Sequence, residues 1–322
     1  MILCCGEALI DMVPAESAAG ETGFVPLPGG SVFNTAIALA RLGAGVAMLT
    51  GLSRDSFGVR LEAALIEAGV GTDLLIRSDR PTTLAFAHLD QGQARYEFHD
   101  ENSAGRMICD ADMPLIPAEV TCLYFGGISL IGEPGADTYA RFAVRMAARH
   151  LLVVDPNIRP GLIGDEAGYR ARLLRLLALA DIAKASGDDL DWLFPDLTGI
   201  AAQADALRRL GATLVVITRG AAGAVGFARD WQVAVAAVPG PVVDTIGAGD
   251  IFAAGLLVRL GELGIRGKAD LAGIARATLK DAMGYAAQVA ALSIRHRGAV
   301  APCRDEVQMT LDAAAPQDLP KH

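Results

Sequence analysis

The chain has 322 residues, enough for one large domain or two ordinary ones. It is 52% hydrophobic but only 5% aromatic, so its core must be built from Ala, Leu, Val and Ile, which suits a parallel sheet buried under helices on both faces. A net charge of −9 argues against nucleic acid and anionic membrane as partners, while leaving room for an anion held in a local pocket.

The chain opens Met1-Ile2-Leu3-Cys4-Cys5-Gly6-Glu7, with no basic segment and an acid within a few residues. It reads as a first strand rather than a signal peptide. Gly6-Glu7-Ala8-Leu9-Ile10-Asp11 continues as an apolar strand ending in an acid, which puts Asp11 at a strand C-terminus. A carboxylate there accepts hydrogen bonds from ligand hydroxyls; a solvated loop aspartate is the alternative. Residues 12–28 are broken by Gly and Pro and have no helix period. Pro28-Gly29-Gly30-Ser31-Val32-Phe33-Asn34 then leads into a helix over 35–42, with Ser31 as its N-cap. Gly29 and Gly30 let a ligand approach the backbone, and Asn34 offers a donor and an acceptor to a sugar hydroxyl. A plain connecting turn is the alternative.

Residues 46–50 form a short apolar run, and 56–68 have helical spacing that stops at Gly69. Residues 83–99 alternate about a turn at 90–93 and read as a β-hairpin. The two β excursions, 12–28 and 83–99, would pair into a small sheet over the C-terminal edge of the main sheet, where open α/β folds bind ligands. Such a lid would exclude water; ordinary surface hairpins are the alternative. Strand-like runs at 123–125, 151–154, 181–183 and 214–217 alternate with helical stretches at 137–149, 166–179 and 198–210. This βαβα rhythm predicts an α/β fold with a mostly parallel sheet. Alanine-rich helices follow over about 270–294, and the tail from 313 reads as frayed.

Several predicted strand ends carry chemistry. Asp155-Pro156-Asn157-Ile158-Arg159-Pro160 offers Arg159 to a phosphoryl group or a substrate anion, with a structural ion pair as the alternative. In Lys184-Ala185-Ser186-Gly187-Asp188-Asp189 the acids either complement a helix N-terminus or hold Mg²⁺ through water. Thr218-Arg219-Gly220-Ala221-Ala222-Gly223 has glycines spaced to admit phosphates or a ribose. The most informative segment is Val243-Asp244-Thr245-Ile246-Gly247-Ala248-Gly249-Asp250, followed at once by an apolar helix. Unpartnered N–H groups at a helix N-terminus make an anion site. Asp250 there either caps the helix or takes a proton from a nucleophile facing a phosphate.

No P-loop, GxGxxG before a helix, GxSxG or histidine cluster is present. The five cysteines (Cys4, Cys5, Cys109, Cys122, Cys303) have neither CxxC nor zinc spacing and read as buried thiols of a cytoplasmic protein. No apolar run of about 18 residues suggests a membrane span.

Along nearly its whole length the chain resembles the PfkB-type, or ribokinase-like, carbohydrate kinases. The resemblance rests on Gly29-Gly30-Ser31-Val32-Phe33-Asn34, on Asp244-Thr245-Ile246-Gly247-Ala248-Gly249-Asp250, and on Gly51-Leu52-Ser53-Arg54-Asp55-Ser56-Phe57-Gly58. Gly6–Asp11 and Asp155–Pro160 look most like the fructokinases of that family. The resemblance implies a three-layer α/β/α fold, with a kinase core over 1–11, 29–82 and 100–312 and a β lid over 12–28 and 83–99. It implies ATP-dependent phosphorylation of a ketose's primary hydroxyl, with fructose giving fructose 6-phosphate. Asp250 would be the base, and the N–H groups of Gly247, Ala248 and Gly249 the anion hole. Asp11, Gly29, Gly30 and Asn34 would bind the sugar, with Arg159 as a phosphoryl or substrate clamp. Lys184, Ser186, Thr218, Gly220, Gly223 and Gly249 would line the nucleotide site, and Mg²⁺ would bridge the ATP phosphates. Where the family often has Asn-x-x-Glu near the metal, this chain has Ser186 and Asp189. Residues 293–299 resemble a loop that holds a monovalent cation, K⁺, in many relatives. A homodimer is expected, since short lid strands leave edges for a partner subunit to cover. Within the class, 2-keto-3-deoxygluconate kinase, ribokinase and nucleoside kinase stay open. Outside it stand a non-catalytic sugar or nucleotide sensor and a structural, partner-binding protein.

Overall fold

A computed structural model describes residues 1–17, 20–90 and 93–314. The middle of the expected turn at 90–93 and the tail from 315 lie outside the described residues. The chain opens with β1 (Ile2–Cys5), β2 (Leu9–Glu16) and β3 (Thr22–Gly29), then enters α1 (Ser31–Arg41). β4 (Val46–Leu49), β5 (Gly51–Ser53), α2 (Ser56–Ala68), β6 (Ile76–Ser78), β7 (Leu84–Asp90) and β8 (Gln93–His99) follow. Next come β9 (Cys122–Gly126), α3 (Gly135–Met146), β10 (Leu151–Asp155), α4 (Glu166–Leu179), β11 (Ile182–Ser186), α5 (Gly187–Leu193) and α6 (Ile200–Leu210). The last part holds β12 (Leu214–Thr218), β13 (Ala224–Ala228), β14 (Trp231–Val235), α7 (Ala248–Glu262), α8 (Lys268–Ala272), α9 (Arg276–Ser293) and α10 (Arg304–Ala314).

The large sheet has the order β14-β13-β12-β11-β10-β9-β1-β4. Its neighbouring strands are parallel except at one edge, where β13 pairs antiparallel with both β12 and β14. Successive strand residues point to opposite faces, and here each face meets its own core. Cys4, Val153 and Val216 pack with residues of α1, α2, α7 and α9. Leu3, Leu152 and Val215 pack with residues of α3, α4 and α6. Both faces are apolar because both are covered. The second sheet has the order β3-β2-β7-β8, with β2 and β7 parallel and the outer pairs antiparallel. The chain enters it directly after β1 of the large sheet and again after β6, which pairs with β5 in a separate two-stranded sheet.

α2 and α4 have the bounds expected from their spacing. Asp55 accepts from Gly58 N–H and Asp165 from Gly168 N–H, as N-caps do, and Gly69 ends α2 in the left-handed region at φ 86°. Three expectations are corrected. β1 ends at Cys5, so Asp11 lies inside β2 of the second sheet rather than at the end of the first strand. α1 starts four residues earlier than its apolar spacing suggested, with Gly30 as N-cap at φ 109°, so Ser31 is a helical residue and not the cap. Of the cysteines, Cys4, Cys5 and Cys122 are buried, whereas Cys109 is exposed and Cys303 half-buried. The β13–β14 hairpin and the β5–β6 pair were not foreseen.

α7 is buried on nearly every side, from Asp250 through Val258 and again at Leu260. Gly255 lets it approach α9 closely, since a Cβ there would sit 3.0 Å from Ala286 Cα. Among the described residues no helix is long and apolar enough to cross a membrane.

Candidate active site

Residues 243–250 form the entry to α7. Gly247 is the N-cap in the left-handed region at φ 73°, and no side chain caps the helix. A Cβ at Gly247 would fall 2.4 Å from the Cβ of Ala299, so only glycine fits between this turn and the loop beyond α9. The first helical bond runs from Ile251 N–H to Gly247 O, while Ala248 N–H donates to Thr245 O. Among the described residues nothing accepts from the N–H groups of Gly249 and Asp250. Together with the helix dipole they form an open anion site.

Asp250 stands in the first turn and is 6% exposed. Ser31 Oγ donates to its Oδ1 at 2.6 Å, and Asn34 Nδ2 donates to its Oδ2 at 3.0 Å. Both donors sit on the first turn of α1. Burial raises the Asp250 carboxyl above the usual range; the two hydrogen bonds and the charges of Lys184 and Arg159 pull it partly back. A carboxylate so placed is a better base than a solvated one and is aimed by two donors.

Asp11 joins this group from β2. Burial, and then the Asp250 charge, raise its carboxyl from 3.8 to about 6. A Cβ on Gly29 would lie 2.0 Å from Asp11 Oδ2, so glycine at that position lets the carboxylate lie against the backbone. Gly30 abuts Glu7: a Cβ there would lie 3.1 Å from Glu7 Cγ.

Glu7 is a buried acid whose role the sequence reading missed. Its Oε1 accepts from Ser31 N–H at 2.9 Å and Val32 N–H at 3.4 Å, and its Oε2 from Ser129 N–H at 3.2 Å. Burial raises its carboxyl from 4.5 to about 7, against the pull of its backbone hydrogen bonds. The signal was visible, since Glu7 interrupts an apolar run.

Beneath the anion site lies a buried ion pair. Lys184 Nζ donates to Asp155 Oδ2 at 2.7 Å, and Tyr124 OH donates to the same oxygen at 3.1 Å. A Cβ on Gly249 would lie 3.1 Å from Lys184 Nζ, so the ammonium sits against the first turn of α7. Burial works against the Lys184 charge, but Asp155, Asp250 and Asp189 outweigh it and raise its pKa. Thr35 Oγ1, also on α1, reaches both Tyr124 OH and the Asp250 carbonyl at 3.4 Å.

The other candidates spread along the strand ends. Arg159 is exposed, and its Nη1 donates to the carbonyls of Asn157 and Ile158. Asp189 is buried and engaged: Oδ2 accepts from Ser186 N–H and Oγ–H, and Oδ1 from Ile158 N–H at 2.7 Å. Ser186 in turn caps α5. Thr218 ends β12. Gly220 faces open space at φ 52°, whereas a Cβ on Gly223 would meet Val235 O at 2.1 Å, so Gly223 serves the β-sheet edge. No cluster of three or more His, Cys, Asp or Glu able to hold a metal occurs among the described residues. With three donors on its carboxylate, Asp189 suits a hydrated cation better than a naked one. The segment entering α7 is tied to the loop after α9: Val243 N–H donates to Ile294 O, and Gly298 N–H to Asp244 Oδ2. Ser293 Oγ, where that loop begins, is buried with no partner among the described residues, an oxygen suited to a hard cation.

A family model described as pfkB family carbohydrate kinase matches residues 1–306. Over 264 residues the chain is 47% identical to a fructokinase of Rhizobium leguminosarum bv. trifolii, covering 81% of this chain and 79% of the relative. It superposes on fructokinase with bound ATP from Xylella fastidiosa with a TM-score of 0.88, at 29% identity and over 97% of this chain and 98% of that one. A fructokinase double mutant from Vibrio cholerae O395, in a fructose, ADP and potassium ion bound form, gives a TM-score of 0.84 at 26% identity, over 96% and 97% of the two chains.

Proposed function

The chain belongs to the PfkB family of carbohydrate kinases and is an ATP-dependent enzyme of that class, and from this we propose that it transfers the terminal phosphoryl group of ATP to the 6-hydroxyl of fructose. The observation that carries the reading is the Asp250 carboxylate, buried and aimed by Ser31 and Asn34, at the open N-terminus of α7. Fructokinases among the relatives support fructose as the acceptor.

In this reading Asp250 takes the proton of the sugar hydroxyl as the oxygen attacks the phosphorus in line. The N–H groups at Gly247, Gly249 and Asp250 meet the charge spread over the transferring group, whereas Ala248 N–H, expected among them, is taken by Thr245 O. Donors fixed in advance at such a place are worth about 3 kcal/mol each. Asp11, Gly29, Gly30 and Asn34 border the sugar, with Arg159 as the clamp on the transferring phosphoryl group. Lys184 holds positive charge behind the phosphates, and Ser186, Thr218, Gly220 and Gly223 border the nucleotide. Mg²⁺, held through water by Asp189, would neutralise charge between the ATP phosphates. K⁺ would sit where residues 243–247 meet the loop containing Ser293. The second sheet, β2 and β3 with β7 and β8, is the lid, taking in residues 9–11 as well as 12–28 and 83–99, and the rest of the chain to 312 is the kinase core. The edges of that sheet, with Val25 and Leu27 exposed on β3, suit a homodimer, and the compartment is the cytoplasm. Arg159 is also placed to hold a carboxylate, which keeps 2-keto-3-deoxygluconate as the second reading.

A coupled ADP-release assay with Mg-ATP against fructose, 2-keto-3-deoxygluconate, ribose and adenosine tests the acceptor. Fructose should give the highest kcat/KM; a preference for the keto acid would move Arg159 into the substrate site. Asp250→Asn should bind both substrates while turnover falls by orders of magnitude, and near-normal turnover would sink the base assignment.

A further inference from the structure

We propose that Glu7 is a positioning residue for phosphoryl transfer: its carboxylate fixes the start of α1 and, through Ser31 and Asn34, sets the direction of the Asp250 carboxylate. The inference rests on the reading of Asp250 as the base.

The geometry is a short chain of contacts. The N-cap of α1 is a glycine with no side chain to offer, so the first N–H groups of the helix need an acceptor from elsewhere. Glu7 supplies it from the loop after β1, taking Ser31 and Val32 N–H on one oxygen. Its other oxygen takes Ser129 N–H, from the turn that follows β9. One carboxylate thereby ties three segments together at the floor of the site. The side chain of the same Ser31 reaches on, its Oγ donating to Asp250 Oδ1. From Glu7 to the base the path is two hydrogen bonds and one residue.

The surroundings are shaped around this carboxylate. Gly127, at φ 67°, leaves the space Glu7 fills, since a Cβ there would lie 2.1 Å from Glu7 Oε1. The acid is 7% exposed. A Ser or Asp cap is closed to position 30, whose φ of 109° is a region that L side chains rarely adopt, so the acceptor has to come from elsewhere in the chain. What a remote, rigidly held acid adds is a fixed direction for the helix start, and the two donors to Asp250 both stand on that first turn. Displacement of a reacting group by about 1 Å costs on the order of a hundredfold in rate.

A double-mutant cycle tests the inference, using Glu7→Gln, Ser31→Ala and the pair on the full-length protein. Rates are read on the alkaline plateau of the pH–rate profile, where Glu7 and Asp250 are both ionised. Glutamine keeps the shape but turns a donor toward one of the three N–H groups. Expected is a kcat lower by roughly tenfold or more with the KM for ATP changed by less than about twofold. Because both substitutions break one link, the pair should lose little more than the worse single variant. Additive fold-losses in the cycle, or a wild-type kcat in Glu7→Gln, would overturn the proposal. If Glu7→Gln does not fold, Glu7→Asp keeps the charge but draws it back, and should lower kcat while sparing the KM for ATP; an unchanged kcat in that variant is equally fatal. Full turnover in Asp250→Asn would instead refute the base assignment and is read independently of the cycle.

Discussion

Replacing Ser31 by alanine removes one short hydrogen bond and almost nothing else. Ser31 Oγ lies 2.6 Å from Asp250 Oδ1, and the Asn34 bond to the other oxygen, at 3.0 Å, remains. A hydrogen bond to a buried charged acceptor is worth about 1.5–3 kcal/mol. Burial already disfavours the ionised form of Asp250, and the Ser31 bond is the largest single interaction opposing it. Its loss therefore raises the Asp250 pKa further. The base must be ionised to act, so the acid limb of kcat/KM moves to higher pH. At a pH on the original limb the shift alone should slow the variant by roughly 10- to 100-fold, on top of any loss that persists above the limb, since about 1.4 kcal/mol is a factor of ten. Above the limb the gap narrows to about tenfold, the cost of a carboxylate steered by Asn34 alone. The assay is ADP release from Mg-ATP and fructose across pH, with circular dichroism to check folding. An acid limb that stays in place, with a uniform loss at every pH, would refute the argument that Ser31 sustains the charge on Asp250.

Lys184→Met leaves Asp155 fully buried and without the cation that lowers its carboxyl, which burial holds at about 6 even with Lys184 in place. In alkaline solution, where Asp155 is still made to ionise, the expected loss is about 3–5 kcal/mol of unfolding free energy by urea titration, shrinking as the pH falls and Asp155 takes a proton; a variant as stable as the parent at every pH would contradict the pairing. Glu7 gives a pH signature of its own. Its carboxyl is raised in the fold from 4.5 to about 7, so its contribution is fully present below pH 4.5 and is lost as pH rises through 7. The stability of the parent relative to Glu7→Gln should thus fall by about 3 kcal/mol between acid and alkaline pH, and a pH-independent difference in Tm would show that Glu7 is not held in this way.

Much of the architecture was legible because its cues are local. α2 and α4 carry an aspartate cap three residues before the N–H it binds, and β9, β10, β11 and β12 are apolar runs set between helical spacings. Asp250 and its glycines were legible because the anion site is one continuous segment. What failed was non-local. Ser31 looks like a cap in sequence, and its true partner is 219 positions away. Glu7 and Ser129 meet across 122 positions. Asp11 was misplaced because the apolar run resumes straight after Gly6 and Glu7, with no turn signal to announce that the strand leaves one sheet at Cys5 and begins another at Leu9. The β13–β14 hairpin escaped notice because Ala and Gly dilute its alternation.

The donors on α1 and the base on α7 come from opposite ends of the chain and meet only after the sheet between them has closed. No contiguous fragment can hold part of the activity: one piece would carry Ser31 and Asn34 with no base to steer, the other a base and an anion site with nothing to aim them. During synthesis the site stays unassembled until α7 has left the ribosome, so the growing chain cannot waste ATP. Cut between the two halves and fused to a pair of interacting proteins, the same geometry would turn sugar phosphorylation into a signal that the pair has met.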